Sequence, residues 1–408
     1  DVISRRICSF QCSQERRYYK KKQDKKTVLH YCKFVGDTVL YATENDPAYR
    51  GRGWYDHGQY PFVFDVLFPE EGIRTLTGEA LAFSYRHSLL TDRPDAVVLR
   101  AGRYEALAVP SLGANVLKLT YRHPCGKTLD ILRTPPCAQV LLDDPYAYGI
   151  PVLFPANRIA GGEYSYDGVT YRFPQNYPNG VHIHGVVHNR AWHLAELCAR
   201  DGEARAVFQL STEDPTLRAH FPIDLVLRLE CLLNKNGLVQ RFVLCNESEV
   251  TMPFGLAYHT AFRVPFVQGG CAADVRLRLP LEGLCADDPV DRLPSGNVRP
   301  LSRYEAGFAS PAGEDPLKAP LDALYKAPGG SGQAVLHDKA SGLEVVYDAD
   351  AEDLYWIIWN GDAKSGFVAI EPQTWLSNGI HLPHPERHGV LYAPPHTVWQ
   401  CETRIYAR

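Results

Sequence analysis

From about Asp95 onward, apolar and polar residues alternate with a period near two, in short runs broken by turn formers. AVVLRAGRYEALAVPSLGANVLKLTYR reads as a meander of three strands, VVLRAG, YEALAVP and NVLKLTY, the last following a Leu112-Gly113 turn. Comparable runs recur at RAVFQLSTE, IDLVLRLECLLN, LVQRFVLCNES, DVRLRLP, QAVLHDKASGLEVVYD, LYWIIWN, GFVAIEP and HTVWQCETRIYA. Gly, Asn, Asp and Pro separate them, and long stretches with a 3.6-residue period are absent. So many short strands predict an all-β fold, a large antiparallel β-sandwich rather than a βαβ fold. The segment from Cys285 to Gly330, rich in Pro, Gly and Ser, reads as a long irregular loop, with LDALY near its end.

The stretch FPANRIAGGEYSYDGVTYRFPQNYPNGVHIHG, from Phe154 to Gly185, is the densest in aromatics and turn formers. EYSY and VTYRF predict a hairpin around Asp167-Gly168. Asn157 and Arg158 lead in and a His-x-His-Gly run leads out, an order that brings Arg158 and a histidine to one rim of a sheet. Alternation on a strand places His182 and His184 on one face, with Ile183 on the other.

The first 90 residues differ and are expected to be an irregular extension, with the main domain spanning 91–408. Residues 1–30 hold nine Lys/Arg against three Asp/Glu, mostly in RRYYKKKQDKK at 16–26. Basic blocks with interleaved tyrosines are able to grip nucleic acid, though a solvated leader is the commoner outcome. Residues 31–75 are aromatic and turn-rich, with Trp54, Tyr55, Asp56 and His57 beside glycines. They are similar, over a short stretch lacking any motif of chemical role, to phage packaging (terminase-type) proteins.

Composition narrows the function only coarsely. A net charge of −4 gives no global case for nucleic acid or membrane binding, and no apolar run approaches the roughly 20 residues of a membrane helix. Eleven cysteines cannot all pair internally and include no C-x-x-C, which favours free thiols and a cytoplasmic location. No basic-then-apolar signal segment opens the chain.

Candidate chemistry is dispersed. His182, His184 and His188 lack an acidic or cysteine partner at metal-ligand spacing, so no metal is expected. His259 lies in the apolar passage MPFGLAYHTAFRVPF, where a satisfied core histidine is the bland alternative. Glu371 ends the hydrophobic strand GFVAI and precedes a proline. A carboxyl in such surroundings has its pKa raised and is able to act as a base near neutral pH.

In that order, these segments resemble the aldose 1-epimerase (galactose mutarotase-like) family, over about residues 95–408. FPANRIAGGEYSYDGVTYRFPQN with HIHG is similar to its Asn-Arg-Ile to His-Gly series. FGLAYHTAF resembles the segment of its second histidine, LDALY its short aspartate segment, and AIEPQTWLSNGI its glutamate-bearing strand end. The resemblance implies a β-sandwich with a sugar cleft (the galactose mutarotase-like supersandwich) and interconversion of sugar anomers without a cofactor. It casts Glu371 as the base at the anomeric hydroxyl and His259 as the acid at the ring oxygen. His184, directly before Gly185, would support the ring-oxygen side, with His182 the other candidate. Arg158, Asp322 and Asn157 would bind the sugar, and Phe262 and Trp375 would offer apolar faces. The partner expected is a monosaccharide, free or phosphorylated. For a phosphate, Arg158, Arg172 and Arg263 are the candidate rim residues. A non-catalytic carbohydrate-binding domain on the same scaffold is the alternative, and the assembly expected is a monomer or homodimer.

Overall fold

The structure is a computed structural model, and it describes residues 17–23, 26–35, 38–43, 80–86 and 96–408, apart from 137, 268, 288–291, 330–331 and 351–354. Trp54–His57 lie outside the described residues. Among the described residues most regular elements are strands, and most pairings are antiparallel. No helix among the described residues is long and apolar enough to cross a membrane.

Three large sheets share one apolar core. The first contains the predicted meander, Ala96–Ala101, Tyr104–Val109 and Asn115–Arg122, extended by Thr128–Asp130 at one side and Ala80–Arg86 at the other. The described strands Arg17–Gln23, Lys26–Val35 and Thr38–Thr43 continue this sheet, Thr38–Thr43 pairing in parallel with Ala80–Arg86. The turn after Val109 is a 3-10 turn, Pro110–Leu112, closed by Gly113 at φ 66°.

The second sheet runs in the order His193–Arg200, Glu203–Ser211, Leu225–Asn234, Gly237–Asn246, Thr397–Ala407, Leu343–Asp350, Gly332–Asp338, Val275–Arg278. Its alternation is visible in Leu225–Asn234. Leu225, Leu227, Leu229, Cys231 and Leu233 are buried, while the residues between them are less buried and include Glu230, which pairs charges across strands. The Glu230 carboxylate, for instance, accepts from Arg205 at 2.9 Å and from Arg241 at 3.0 Å. Such partly exposed pairs add little stability, on the order of 0–1 kcal/mol each, whereas each buried leucine contributes roughly 1.5–3 kcal/mol.

The third sheet carries the site. Its order is Pro294–Arg299, Gly283–Asp287, Asp322–Lys326, Tyr355–Trp359, Phe367–Gln373, Ala257–Tyr258, Val152–Leu153, with Thr260–Arg263 also paired to Phe367–Gln373. It packs on the second sheet through Tyr347, whose ring meets Phe262 at 5.5 Å and Trp356 at 6.1 Å. The Tyr347 and Thr260 hydroxyls bond at 2.9 Å, which satisfies both polar tips inside the core.

One expectation fails at 285–330, which is not a loop. It contains the strands Pro294–Arg299 and Asp322–Lys326 and the helix Arg303–Phe308. The helix forms because Ser302 and Glu305 make a reciprocal capping box and Phe308 inserts fully into the core. Its elements are too short for their periodicity to stand out among prolines and glycines.

Candidate active site

The Phe154–Gly185 stretch folds by local rules. Glu163–Tyr166 and Val169–Arg172 pair around Asp167 (φ 49°) and Gly168 (φ 76°), the two left-handed positions a tight hairpin needs. Arg158–Ile159 pairs with His182–Ile183, Arg158 opposite Ile183, so Arg158 and the histidine run meet as expected.

The two histidines do not share a face. His184 adopts φ 71° and Gly185 φ 67°, so the strand ends at Ile183 and the chain turns away. Only glycine fits at 185, since a Cβ there would lie 2.3 Å from the Phe154 carbonyl oxygen. The His182 ring is fully buried, donates through Nδ1 to the Pro174 carbonyl at 2.7 Å and stacks on Phe173 at 5.1 Å. The His184 ring instead lies 5.3 Å from that of His259.

His259 joins Ala257–Tyr258 to Thr260–Arg263, and both strands pair with Phe367–Gln373. Ala257 faces Gln373 and Thr260 faces Ile370, so the shared register sets His259 opposite Glu371. Two residues more than a hundred positions apart are thereby made neighbours by strand pairing alone. Glu371 Oε1 and His259 Nε2 are 3.3 Å apart, both side chains almost wholly buried. The approach is not aligned as a hydrogen bond, and Glu371 Oε1, His259 Nδ1, His184 Nδ1 and Arg158 Nε are buried without hydrogen-bond partners. Unspent polar atoms at such density are costly unless another molecule satisfies them.

Burial dominates the electrostatics. It pushes the Glu371 carboxyl well above the usual range, nearby Asp322 adding to the rise and Arg158 opposing it. Burial likewise pushes His259 down to about 3 and His184 well below its ordinary value, His259 adding to the latter. Both members of the pair therefore favour their uncharged forms. Among the described residues, no group of three His, Cys, Asp or Glu is placed to hold a metal ion.

The other expected residues divide. The Arg158 guanidinium lies over the Tyr177 ring at 5.0 Å. Asp322 opens the strand Asp322–Lys326; it is exposed, and Arg292 pairs with it at 3.1 Å. Asn157 is buried and holds protein instead of offering itself to a sugar. Its amide donates to Gln373 at 3.3 Å, and its carbonyl oxygen accepts from Ser377 at 3.2 Å and Arg158 at 3.4 Å. Phe262 and Trp375 were expected as sugar platforms, but both are fully buried in the core, and the Trp375 indole donates to the Ala156 carbonyl at 2.9 Å. Of the candidate phosphate ligands, Arg172 pairs with Glu163 at 3.2 Å and Arg263 with Asp130 at 2.6 Å, leaving Arg158 at the site.

The structure adds residues the pattern did not single out. Trp359, half-buried two positions beyond the Glu371 partner Ile357, places its ring 5.4 Å from that of His259. Alternation in LYWIIWN does carry that signal, because Trp356 and Ile358 turn to the core and Trp359 to the other face. Tyr146 and Arg292 sit in segments with no periodicity to mark them.

A sequence profile of the family described as aldose 1-epimerase matches residues 95–395. The chain belongs to this family. A galactose mutarotase-like protein from Clostridium acetobutylicum is similar at 27% identity and TM-score 0.71, covering 77% of this chain and 95% of that one. The galactose 1-epimerase of Lactobacillus acidophilus shares the fold at 16% identity and TM-score 0.59, over 81% of this chain and 99% of that one. The protein YihR of Escherichia coli (strain K12) is 31% identical over 40% of this chain, a match spanning 48% of YihR. The chromosomal protein LacX of Lactococcus lactis is 28% identical over 56% of this chain and 75% of its own length. The fold is thus the large antiparallel sandwich expected from the strand pattern, of the galactose mutarotase-like kind that the resemblance implied.

Proposed function

We propose that the chain interconverts the α and β anomers of a hexose or related sugar by acid/base ring opening and reclosure. The observation that carries this reading is the buried, side-by-side placement of Glu371 and His259 at 3.3 Å. The anomeric hydroxyl oxygen and the ring oxygen share one carbon, so the groups that serve them belong next to each other.

With both groups favouring neutral forms, the pair holds one proton on Glu371. Passing it to His259 yields a carboxylate base and an imidazolium acid with no exchange with solvent. Glu371 then takes the proton of the anomeric hydroxyl, the C1–O5 bond breaks as C1=O forms, and His259 protonates O5. Rotation about C1–C2 exposes the other face of the aldehyde, and the reverse transfers close the ring. In this scheme Arg158 and Asp322 bind hydroxyls, His184 supports the ring-oxygen side, and Trp359 supplies an apolar face for the sugar.

Polarimetry or exchange NMR across free and phosphorylated hexoses tests this. Glu371→Gln is expected to slow the exchange of the preferred sugar by roughly 10²–10⁴-fold, and His259→Ala similarly. If both variants exchange at the wild-type rate while sugar still binds, the chain is a carbohydrate-binding domain on this scaffold and the catalytic reading is wrong.

A further inference from the structure

His184 and His259 present two uncharged, partly unbonded imidazoles at a fixed mutual angle. Their rings are nearly perpendicular, at 85°, and a ring without hydrogen bonds swivels unless it is packed on its faces. One side chain touches both. The Tyr146 ring lies 4.4 Å from the His184 ring and 5.5 Å from the His259 ring. Its hydroxyl is bonded to Nε2 of a third histidine, His188, at 3.1 Å. Its backbone carbonyl faces the His259 ring, and the His184 carbonyl faces the His188 ring.

We propose that Tyr146 is the positioning residue for the two site histidines, held in turn by its hydroxyl bond to His188. This rests on the anomer-exchange reading and extends it to residues outside the acid/base set. The clamp is itself braced. Tyr146 lies in the 3-10 turn Pro145–Ala147, whose Ala147 carbonyl accepts from Arg133 at 3.3 Å. The Arg133 guanidinium is wedged between the Phe367 and Tyr148 rings, at 4.1 and 4.4 Å. On the other side, the backbone flanking His188 is pinned by Arg190, which donates to the Val186 carbonyl at 2.8 Å, and by the Trp192 indole, which donates to Val187 at 3.0 Å.

The hydrogen-bond order follows from these contacts. With the Tyr146 O–H donating to His188 Nε2, the His188 proton sits on Nδ1, which is buried on the side of the His184 carbonyl without a formed hydrogen bond. Burial pushes Tyr146 up to about 12 and His188 down to about 4, so near neutral pH both stay uncharged and the bond persists. The hydroxyl is thereby committed to His188, and Tyr146 acts by placing the imidazoles rather than by moving a proton.

The test uses the full chain with Tyr146→Phe, His188→Ala, the double variant and His188→Gln. Saturation kinetics of anomer exchange and histidine-ring 15N spectra are measured on each. Tyr146→Phe and His188→Ala should each lower kcat by about tenfold with KM within about twofold, as expected for displaced catalytic groups. The double variant should be no worse than either single one, since both remove one bond. His188→Gln, which keeps an acceptor, should recover most of the loss. Ring signals of His184 and His259 should shift in Tyr146→Phe. Unchanged kcat in both single variants, multiplying losses in the double, or losses confined to KM would overturn the proposal. The ring spectra separate its failure from that of the catalytic reading. If Glu371→Gln exchanges like wild type, enzymatic function falls, whereas unshifted His184 and His259 signals in Tyr146→Phe refute the clamp whatever the activity.

Discussion

His182 makes a quantitative prediction because its burial is complete and its role is separable from the site. Burial pushes its pKa from 6.5 down to about 4. The unfolded ring takes a proton near pH 6.5 and the folded ring does not until about pH 4. Over that window the unfolded state binds more protons, so stability is fully present above pH 6.5 and is lost as the pH falls. The loss for one such group is about 1.4 kcal/mol per pH unit, or about 2 kcal/mol between pH 7 and pH 5, against a typical total of about 5–15 kcal/mol. Other groups titrate in the same range. His188 and His259 act in the same direction, whereas Glu371, with its raised pKa, makes stability fall as pH rises above 4.5. A single-site difference isolates the contribution. His182→Asn keeps a donor for the Pro174 carbonyl and removes the titration. Its stability gap from wild type, from urea unfolding at pH 7, 6 and 5, should shift in the variant's favour by about 2 kcal/mol across that range. Any pH-independent loss of the Phe173 stack cancels in the comparison. Anomer exchange at pH 7 should be unchanged, because this ring faces Phe173 and Pro174 rather than Glu371. Parallel stability curves for the two proteins would refute the reasoning.

Two further outcomes test the local structure. Gly185→Ala places a Cβ against the Phe154 carbonyl at a left-handed position and should cost at least about 2–3 kcal/mol, read as a drop in urea midpoint with the slope unchanged. Phe262→Leu, a core change against Tyr347, should lower stability by about 1–2 kcal/mol and leave the KM for sugar within about twofold of wild type. A rise in KM without a loss of stability would return Phe262 to the role of a sugar platform.

Strand alternation read the main domain well, since a period of two survives in any sheet that buries one face, as Leu225–Asn234 shows. The hairpin at Asp167-Gly168 was legible for a related reason, because its turn demands two residues that tolerate positive φ. Asn157, Phe262 and Trp375 were misread because nothing local distinguishes an aromatic or amide in the core from one lining a cleft. Tyr146 and Arg292 were missed because their segments carry no period at all.

Residue order and local conformational preference determined the fold class and the meeting of Arg158 with a histidine run, while the candidate acid and base came from the resemblance to the family. Tertiary structure decided that His259 stands opposite Glu371, that His184 and not His182 turns toward them, and that Tyr146 lies between the histidines. Those facts depend on the register of strands distant along the chain and on one left-handed turn at His184-Gly185. Register is set by the whole core, so no window of sequence contains it.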